Sequence, residues 1–241
     1  MSKARKSPGR EQGGGGAPRK LVIAIDGPAG AGKSTVAARL ARKLGYVNIE
    51  TGGMYRALAL KAIENDVSFD DADALVALAR NSQIELEPTH DGNRVLLDGA
   101  NVSDRIREED VTEAASRVSV HPPVRAWMVA RQREMGAGGG VVMEGRDIGT
   151  QVFPAADVKI FLDADPGVRG SRRVRQEAAG RMRPQDQIAR ELEQRDQRDR
   201  SRSTSPLVPA PDAVRIDSSA LSIEQVMDAV ERLVAERLAR S

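Results

Sequence analysis

The chain of 241 residues contains no cysteine, which excludes disulfides and thiolate metal sites and suits a reducing compartment. Aromatic residues make up only 2% of it, so the core must be assembled from Val, Leu, Ile, Ala and Met. That scarcity also argues against a stacking platform for single-stranded nucleic acid, and Trp127 reads as helix packing. There are two histidines. His90 lies beside a turn and His121 precedes a proline pair, so both read as surface residues rather than general bases. No apolar run approaches the ~20 residues of a membrane span. Met1 to Lys20 is basic and Gly-rich but lacks an apolar core, so it is not expected to be a secretory signal. The formal net charge is only +2, and the arginines alternate with Asp and Glu, unlike the one-sided field of a nucleic-acid binder.

What is present is concentrated at the start. Leu21-Val22-Ile23-Ala24-Ile25 ends at Asp26 and runs into Gly27-Pro28-Ala29-Gly30-Ala31-Gly32-Lys33-Ser34-Thr35. A segment with helical spacing of apolar residues follows, from Val36 to Leu44. This is G-x-x-x-x-G-K-[ST] between a strand and a helix, the context a phosphate-binding P-loop requires. Glycines let the backbone N–H groups curl inward onto phosphate oxygens, and the helix start adds partial positive charge. Lys33 is placed for the β- and γ-phosphates of a nucleoside triphosphate, and the Ser34 hydroxyl for Mg²⁺.

Along the rest of the chain, apolar strands alternate with amphipathic helices. The expected fold is α/β: a P-loop NTPase core with a mostly parallel sheet covered by helices on both faces. Residues 1–19 read as a disordered tail. Region 83–102 alternates apolar and polar residues between turn signals at Asp91-Gly92-Asn93 and Asp98-Gly99, which predicts a small antiparallel insert. A last helix begins at the capping box Ser222–Gln225. Ligands of such sheets bind beyond the carboxyl ends of the strands, and the P-loop, Thr51, Glu144–Asp147 and Asp163 all fall there.

Several segments together resemble the bacterial cytidylate kinase family. Beside the P-loop these are Thr51-Gly52-Gly53-Met54-Tyr55-Arg56, Glu144-Gly145-Arg146-Asp147-Ile148-Gly149-Thr150 and Gln194-Arg195-Asp196-Gln197-Arg198-Asp199-Arg200. Glu144 stands where the family usually has Asp, and Ser34 where some members have Gly. The resemblance implies a kinase domain over 20–241, with core segments at about 20–50, 141–166 and 184–241. It further implies a nucleoside monophosphate region at about 51–140 and an Arg-rich lid at about 167–183, carrying Arg169, Arg172, Arg173 and Arg175. The activity implied is Mg²⁺-dependent transfer from ATP to CMP or dCMP, by a cytoplasmic monomer without nucleic-acid or membrane partners.

By that resemblance Gly27 through Thr35 hold ATP, and Lys33, Arg146, Arg172 and Arg195 supply catalytic cations. Thr51, Arg56, Ser116, Arg125, Arg146, Asp147, Asp199 and Arg202 would bind the acceptor nucleotide. Arg56 and Arg146 suit its phosphate, and Asp147 its sugar hydroxyls. Arg195, Asp199 and Arg202 share one helix face, where Asp199 would accept from the cytosine amine and Arg202 donate to the ring. Spacing alone favours a solvated, ion-paired surface for this helix, and it leaves each arginine open to a structural salt bridge. Two rivals remain at this stage. One is a kinase for UMP or AMP, and the other is a nucleic-acid-associated P-loop ATPase.

Overall fold

The computed structural model describes residues 20–90, 92–176 and 184–240. The expected tail and the second part of the expected lid, residues 177–183, lie outside the described residues.

Strand β1 (Val22–Asp26) enters the Gly-rich P-loop at Gly27–Gly32, called the donor loop below, which leads into helix α1 (Lys33–Leu44), and β2 (Val47–Glu50) follows. α1 ends at Gly45 with φ of 66°, a left-handed cap that glycine adopts without a Cβ penalty. Helix α2 (Thr51–Glu64) and α3 (Ala72–Arg80) lead to an antiparallel meander of β3 (Ile84–Thr89), β4 (Gly92–Leu97) and β5 (Ala100–Asn101). Gly92 and Asn93, expected in a turn, are instead the first residues of β4, where Gly92 pairs with Thr89. Helices α4 (Glu109–Val118) and α5 (Pro122–Gly136) return the chain to β6 (Val141–Gly145). A wide helical turn (Ile148–Val152) precedes β7 (Val158–Asp163). Then come α6 (Pro166–Gln176), α7 (Gln185–Ser201), β8 (Val214–Asp217) and α8 (Ile223–Leu238).

The main sheet is parallel, in the order β2-β6-β1-β7-β8. Alternation sorts β1 between its two faces. Leu21, Ile23 and Ile25 pack with Val36 and Leu40 of α1 and with Val226, Val230 and Val234 of α8. Ala24 points the other way, into Met143, Ile49, Ile148 and Val152. Ser222 caps α8 through the reciprocal box with Gln225 that the sequence predicts. A second core is built by α2 to α5 and the meander around Met54, Leu58, Leu75, Val95, Leu97 and Met128, with Trp127 packed on its side.

One side chain fastens the meander to the main sheet. Asn93 Oδ1 accepts from Glu50 N at 2.7 Å, and its Nδ2 donates to Asn48 O at 2.8 Å. Both partners belong to β2, at the sheet's edge.

The Arg-rich lid expectation needs one correction. Arg169 is not a surface cation: it lies on α6, almost fully buried, ion-paired with Asp196 of α7. A guanidinium so placed is held by its partner and cannot reach out over a nucleotide.

Candidate active site

The donor loop is shaped by close approach. A Cβ on Gly27, whose φ is 146°, would lie 2.0 Å from the Leu162 carbonyl oxygen. Gly30 and Gly32 also take positive φ, so the chain turns tightly before α1. Lys33 is buried, and its Nζ donates to Pro28 O across the loop at 2.7 Å. Burial lowers its pKa and Arg146 adds to that, while Glu144, Asp196 and Asp26 oppose it. Ser34 and Thr35 are exposed at the loop's mouth.

The parallel register sets Asp26 beside Gly145, so the end of β6 emerges next to the donor loop. The Asp26 carboxylate accepts from Ile148 N at 2.8 Å and Gly149 N at 2.7 Å, which fixes the turn after Arg146-Asp147. Thr51 donates its hydroxyl hydrogen to Glu144 O at 2.7 Å, pinning the start of α2 to β6. A Cβ on Gly145 would meet that same Thr51 oxygen at 2.7 Å.

Five arginines and three carboxylates then converge. Asp199 bridges two arginines, accepting from Arg146 Nε at 2.9 Å and pairing with Arg202 Nη1 at 3.2 Å. Arg125 donates to Asp147 at 2.6 Å, with both side chains buried. The Arg125 guanidinium lies 5.4 Å from the centroid of the Tyr55 ring. Arg56 is bound by Glu50. Burial raises the pKa of Asp199, but Arg146 and Arg202 outweigh it and hold the carboxyl below its ordinary range. Arg195 is lowered to about 10, first by burial and then by Arg146, with Asp199 opposing and Arg56 and Arg173 adding further repulsion. Cations crowded this closely make a site for an anion.

Buried polar atoms without partners among the described residues gather here. Six of the nine are here: Tyr55 Oη, Arg56 Nε, Ser116 Oγ, Arg125 Nε, Glu144 Oε1 and Arg202 Nε. Buried polar groups are normally satisfied, so such a cluster marks where a polar ligand belongs. The structure therefore brings Arg56, Ser116, Arg125, Arg146, Asp147, Asp199 and Arg202 to one region. Arg172 lies elsewhere: its guanidinium donates to Ser218 O at 2.7 Å, Ser218 Oγ at 3.0 Å and Ala31 O at 3.3 Å, tying the turn after β8 to the donor loop.

Two features escape sequence reasoning. Tyr55 lies among Arg125, Asp147, Asp199 and Arg202, and its position next to Arg56 in the T-G-G-M-Y-R segment is the signal that could have found it. The other is a cavity of about 640 Å³ on the outer side of the donor loop, walled by Thr35, Arg39, Arg172, Ser218, Leu221 and Ile223 among others. Its floor follows the carboxyl end of β8, where the strand-end rule alone would have placed a ligand.

Mg²⁺ fits the residues present. Glu144 Oε1 is a buried, unpartnered oxygen, and Ser34 at the loop's mouth is near enough to the same carboxyl to favour its charged form. Among the described residues no group of three or more His, Cys, Asp or Glu could hold a metal. Burial and the neighbouring Glu50 carboxylate raise the pKa of Glu144, while Lys33 and Ser34 oppose the shift.

The buried Asp26 gives a pH test. Burial pushes its carboxyl up from 3.8 to about 6, against the pull of its two backbone donors. A folded-state pKa above the unfolded one means a contribution present below pH 3.8 and lost as pH rises through about 6. Relative to Asp26→Asn, which does not titrate, the wild type should lose up to roughly 3 kcal/mol between acid and neutral pH. Denaturant melts of both proteins across that range measure it, and parallel stability curves would refute the assignment.

The family model for cytidylate kinase matches residues 23–236. A cytidylate kinase from Geobacillus kaustophilus (strain HTA426) is 51% identical over 222 residues, covering 91% of this chain and 99% of the relative. One from Solibacter usitatus (strain Ellin6076) is 49% identical, covering 91% of this chain and 94% of the relative. One from Enterococcus faecalis (strain ATCC 700802 / V583) is 46% identical over 90% of this chain and 97% of its own.

Proposed function

The chain belongs to the cytidylate kinase family, and from that premise we propose how its cleft divides the work of moving the γ-phosphoryl group of ATP onto CMP or dCMP. The domain is read as a core at about 20–50, 141–166 and 184–241, an acceptor region at about 51–140 and a lid at about 167–183. The observation that carries the reading is the cluster of unpartnered buried polar atoms around Arg146, Asp199 and Arg202, directly beside the donor loop.

ATP lies with its phosphates on the Gly27–Thr35 loop and its base in the cavity beside Ser218, Leu221 and Ile223. Lys33 Nζ gives one N–H to Pro28 and has two more for phosphate oxygens. Ser34 and Glu144 would hold Mg²⁺. When bound, the ion neutralises charge on the β- and γ-phosphates. Arg146, Arg195 and Arg56 hold the acceptor phosphate in line with the γ-phosphate and take up charge as it shifts between them. The acceptor is already anionic at neutral pH, so no general base is required. The histidines fit that view: His90 is exposed and contacts Arg42, and His121 Nε2 lies 2.7 Å from Phe69 O at the start of α5.

Cytosine is read at the other end of Asp199. Its carboxylate accepts from the exocyclic amine, while Arg202, Arg125 and Ser116 offer donors to the ring edge. Uracil would present a carbonyl to Asp199 and meet repulsion. Asp147, held by Arg125, faces the nucleoside sugar. Thr51 acts through its bond to Glu144 O, as the anchor of α2.

The monomer is the working unit in this reading. Among the described residues no helix is long and apolar enough to cross a membrane. A cytoplasmic place follows in this reading from the family, and the absence of cysteine is compatible with it. A coupled assay of ADP release with CMP, dCMP, UMP, AMP and GMP tests the reading. CMP and dCMP should be turned over far faster than the rest. Equal rates with UMP or AMP would overturn the base assignment.

A further inference from the structure

Ala29, inside the donor loop, is gripped at both of its backbone polar groups, and so at two successive peptide bonds, by one buried ion pair. Its N–H donates to Asp196 Oδ1 at 3.1 Å, and its carbonyl accepts from Arg169 Nη1 at 3.0 Å. Arg169 and Asp196 are hydrogen-bonded to each other, and their side chains are 3% and 1% exposed. Arg169 Nε is spent on Ala164 O at 2.9 Å, just past the end of β7. The fit is close: a Cβ on Gly30 would lie 3.1 Å from the Arg169 Cβ.

Asp196 and Asp199 sit one turn apart on α7. The first reaches the donor loop, and the second reaches Arg146 and Arg202. A single rigid helix therefore touches both halves of the cleft.

We propose that Arg169 and Asp196 form a positioning pair that fixes the Ala29 peptide, and through it sets the donor loop at a fixed distance from the acceptor groups on α7. This rests on the reading of Gly27–Thr35 as the ATP phosphate loop. Neither residue contacts the reacting atoms; both hold the loop through Ala29, and Asp196 also offsets the cost of the buried Lys33 ammonium, a charge that Asp196→Asn and Asp196→Val both remove. A buried ion pair is a poor device for stability alone, since apolar residues of similar volume often do as well or better. Apolar residues, however, offer nothing to the Ala29 N–H and carbonyl. Phosphoryl transfer needs the two oxygens in line, and a displacement of about 1 Å can cost on the order of 10²-fold in rate.

The test separates stability from positioning. In Arg169→Met/Asp196→Leu the charges are replaced by packing side chains. The double variant should stay folded at the assay temperature but melt lower than the wild type, because Ala29 N–H, Ala29 O and Ala164 O lose their partners, while kcat falls about 10- to 100-fold. KM for ATP should rise, and KM for CMP and the CMP/UMP preference should stay unchanged. A folded double variant with kcat and KM for ATP within about twofold of wild type would overturn the proposal.

Two single variants cover the case in which the double variant does not fold. Asp196→Asn and Asp196→Val both leave Arg169 without its counter-charge, but only Asn keeps an oxygen for the Ala29 N–H. The Asn variant should exceed the Val variant in kcat and in ATP affinity, measured by calorimetry without acceptor, by about tenfold. Equal values would equally overturn it. Failure of the wild type to form CDP from ATP and CMP would instead strike the proposed function, and the ATP affinities would still test the pair.

Discussion

Lys33→Ala should leave a folded protein whose kcat is lower on the order of 10²- to 10⁴-fold, with a much smaller change in KM for CMP. Lys33 is buried at the first position of α1, and its Nζ is held by Pro28 O inside the loop that would carry the phosphates. Burial and Arg146 both make the ammonium costly there, and Glu144, Asp196 and Asp26 offset that cost. Such a cation strengthens its contacts as charge shifts toward the bridging oxygen, so its loss appears mainly in the chemical step. Single-turnover rates at saturating ATP and CMP isolate that step. Turnover within a few-fold of wild type would remove Lys33 from the catalytic set.

Asp199→Ala should lower kcat/KM for CMP on the order of 10²- to 10³-fold, because it strips a partner from two arginines as well as the acceptor for the base amine. Arg146 and Arg202 would be left side by side without the carboxylate that bridges them. Discrimination against UMP should shrink, since the repelling oxygen is gone, and ATP affinity should hardly change. Initial rates with CMP and UMP, paired with ATP titrations, decide it. An unchanged CMP/UMP preference together with weaker ATP binding would move Asp199 to the donor side.

Lys33 and Asp199 differ in how far the sequence supports them. The donor loop was legible because its chemistry demands glycine where φ is positive, and Gly27, Gly30 and Gly32 all take such angles. The main-sheet strands were legible because burial on both faces leaves near-continuous apolar runs, as in β1 and β6. The acceptor residues came from motif resemblance; helical spacing alone did not separate Asp199 from a solvated surface residue. Arg169 shows the limit. In the sequence it is one of several arginines near Arg172 and Arg173, and nothing local says that it turns inward. Its partner Asp196 is 27 positions away, so only the packing of α6 against α7 reveals the pair. The cavity by the donor loop was hidden for another reason. Much of its wall is small side chains and backbone, such as Gly30, Ala31, Ser218 and Ser219, which leave no chemical signature.

The Asn93 contact with β2 has a bearing on solubility. An edge strand exposes backbone donors and acceptors that can template pairing with another molecule, a common start of aggregation. On β2 two of those groups, Asn48 O and Glu50 N, are taken by one side-chain amide, which offers a donor and an acceptor as a neighbouring strand would. The strand has four residues, so this single amide leaves little edge for an intruding chain to grip. Asn93 thus serves as a stopper, ending the sheet where another copy could otherwise extend it.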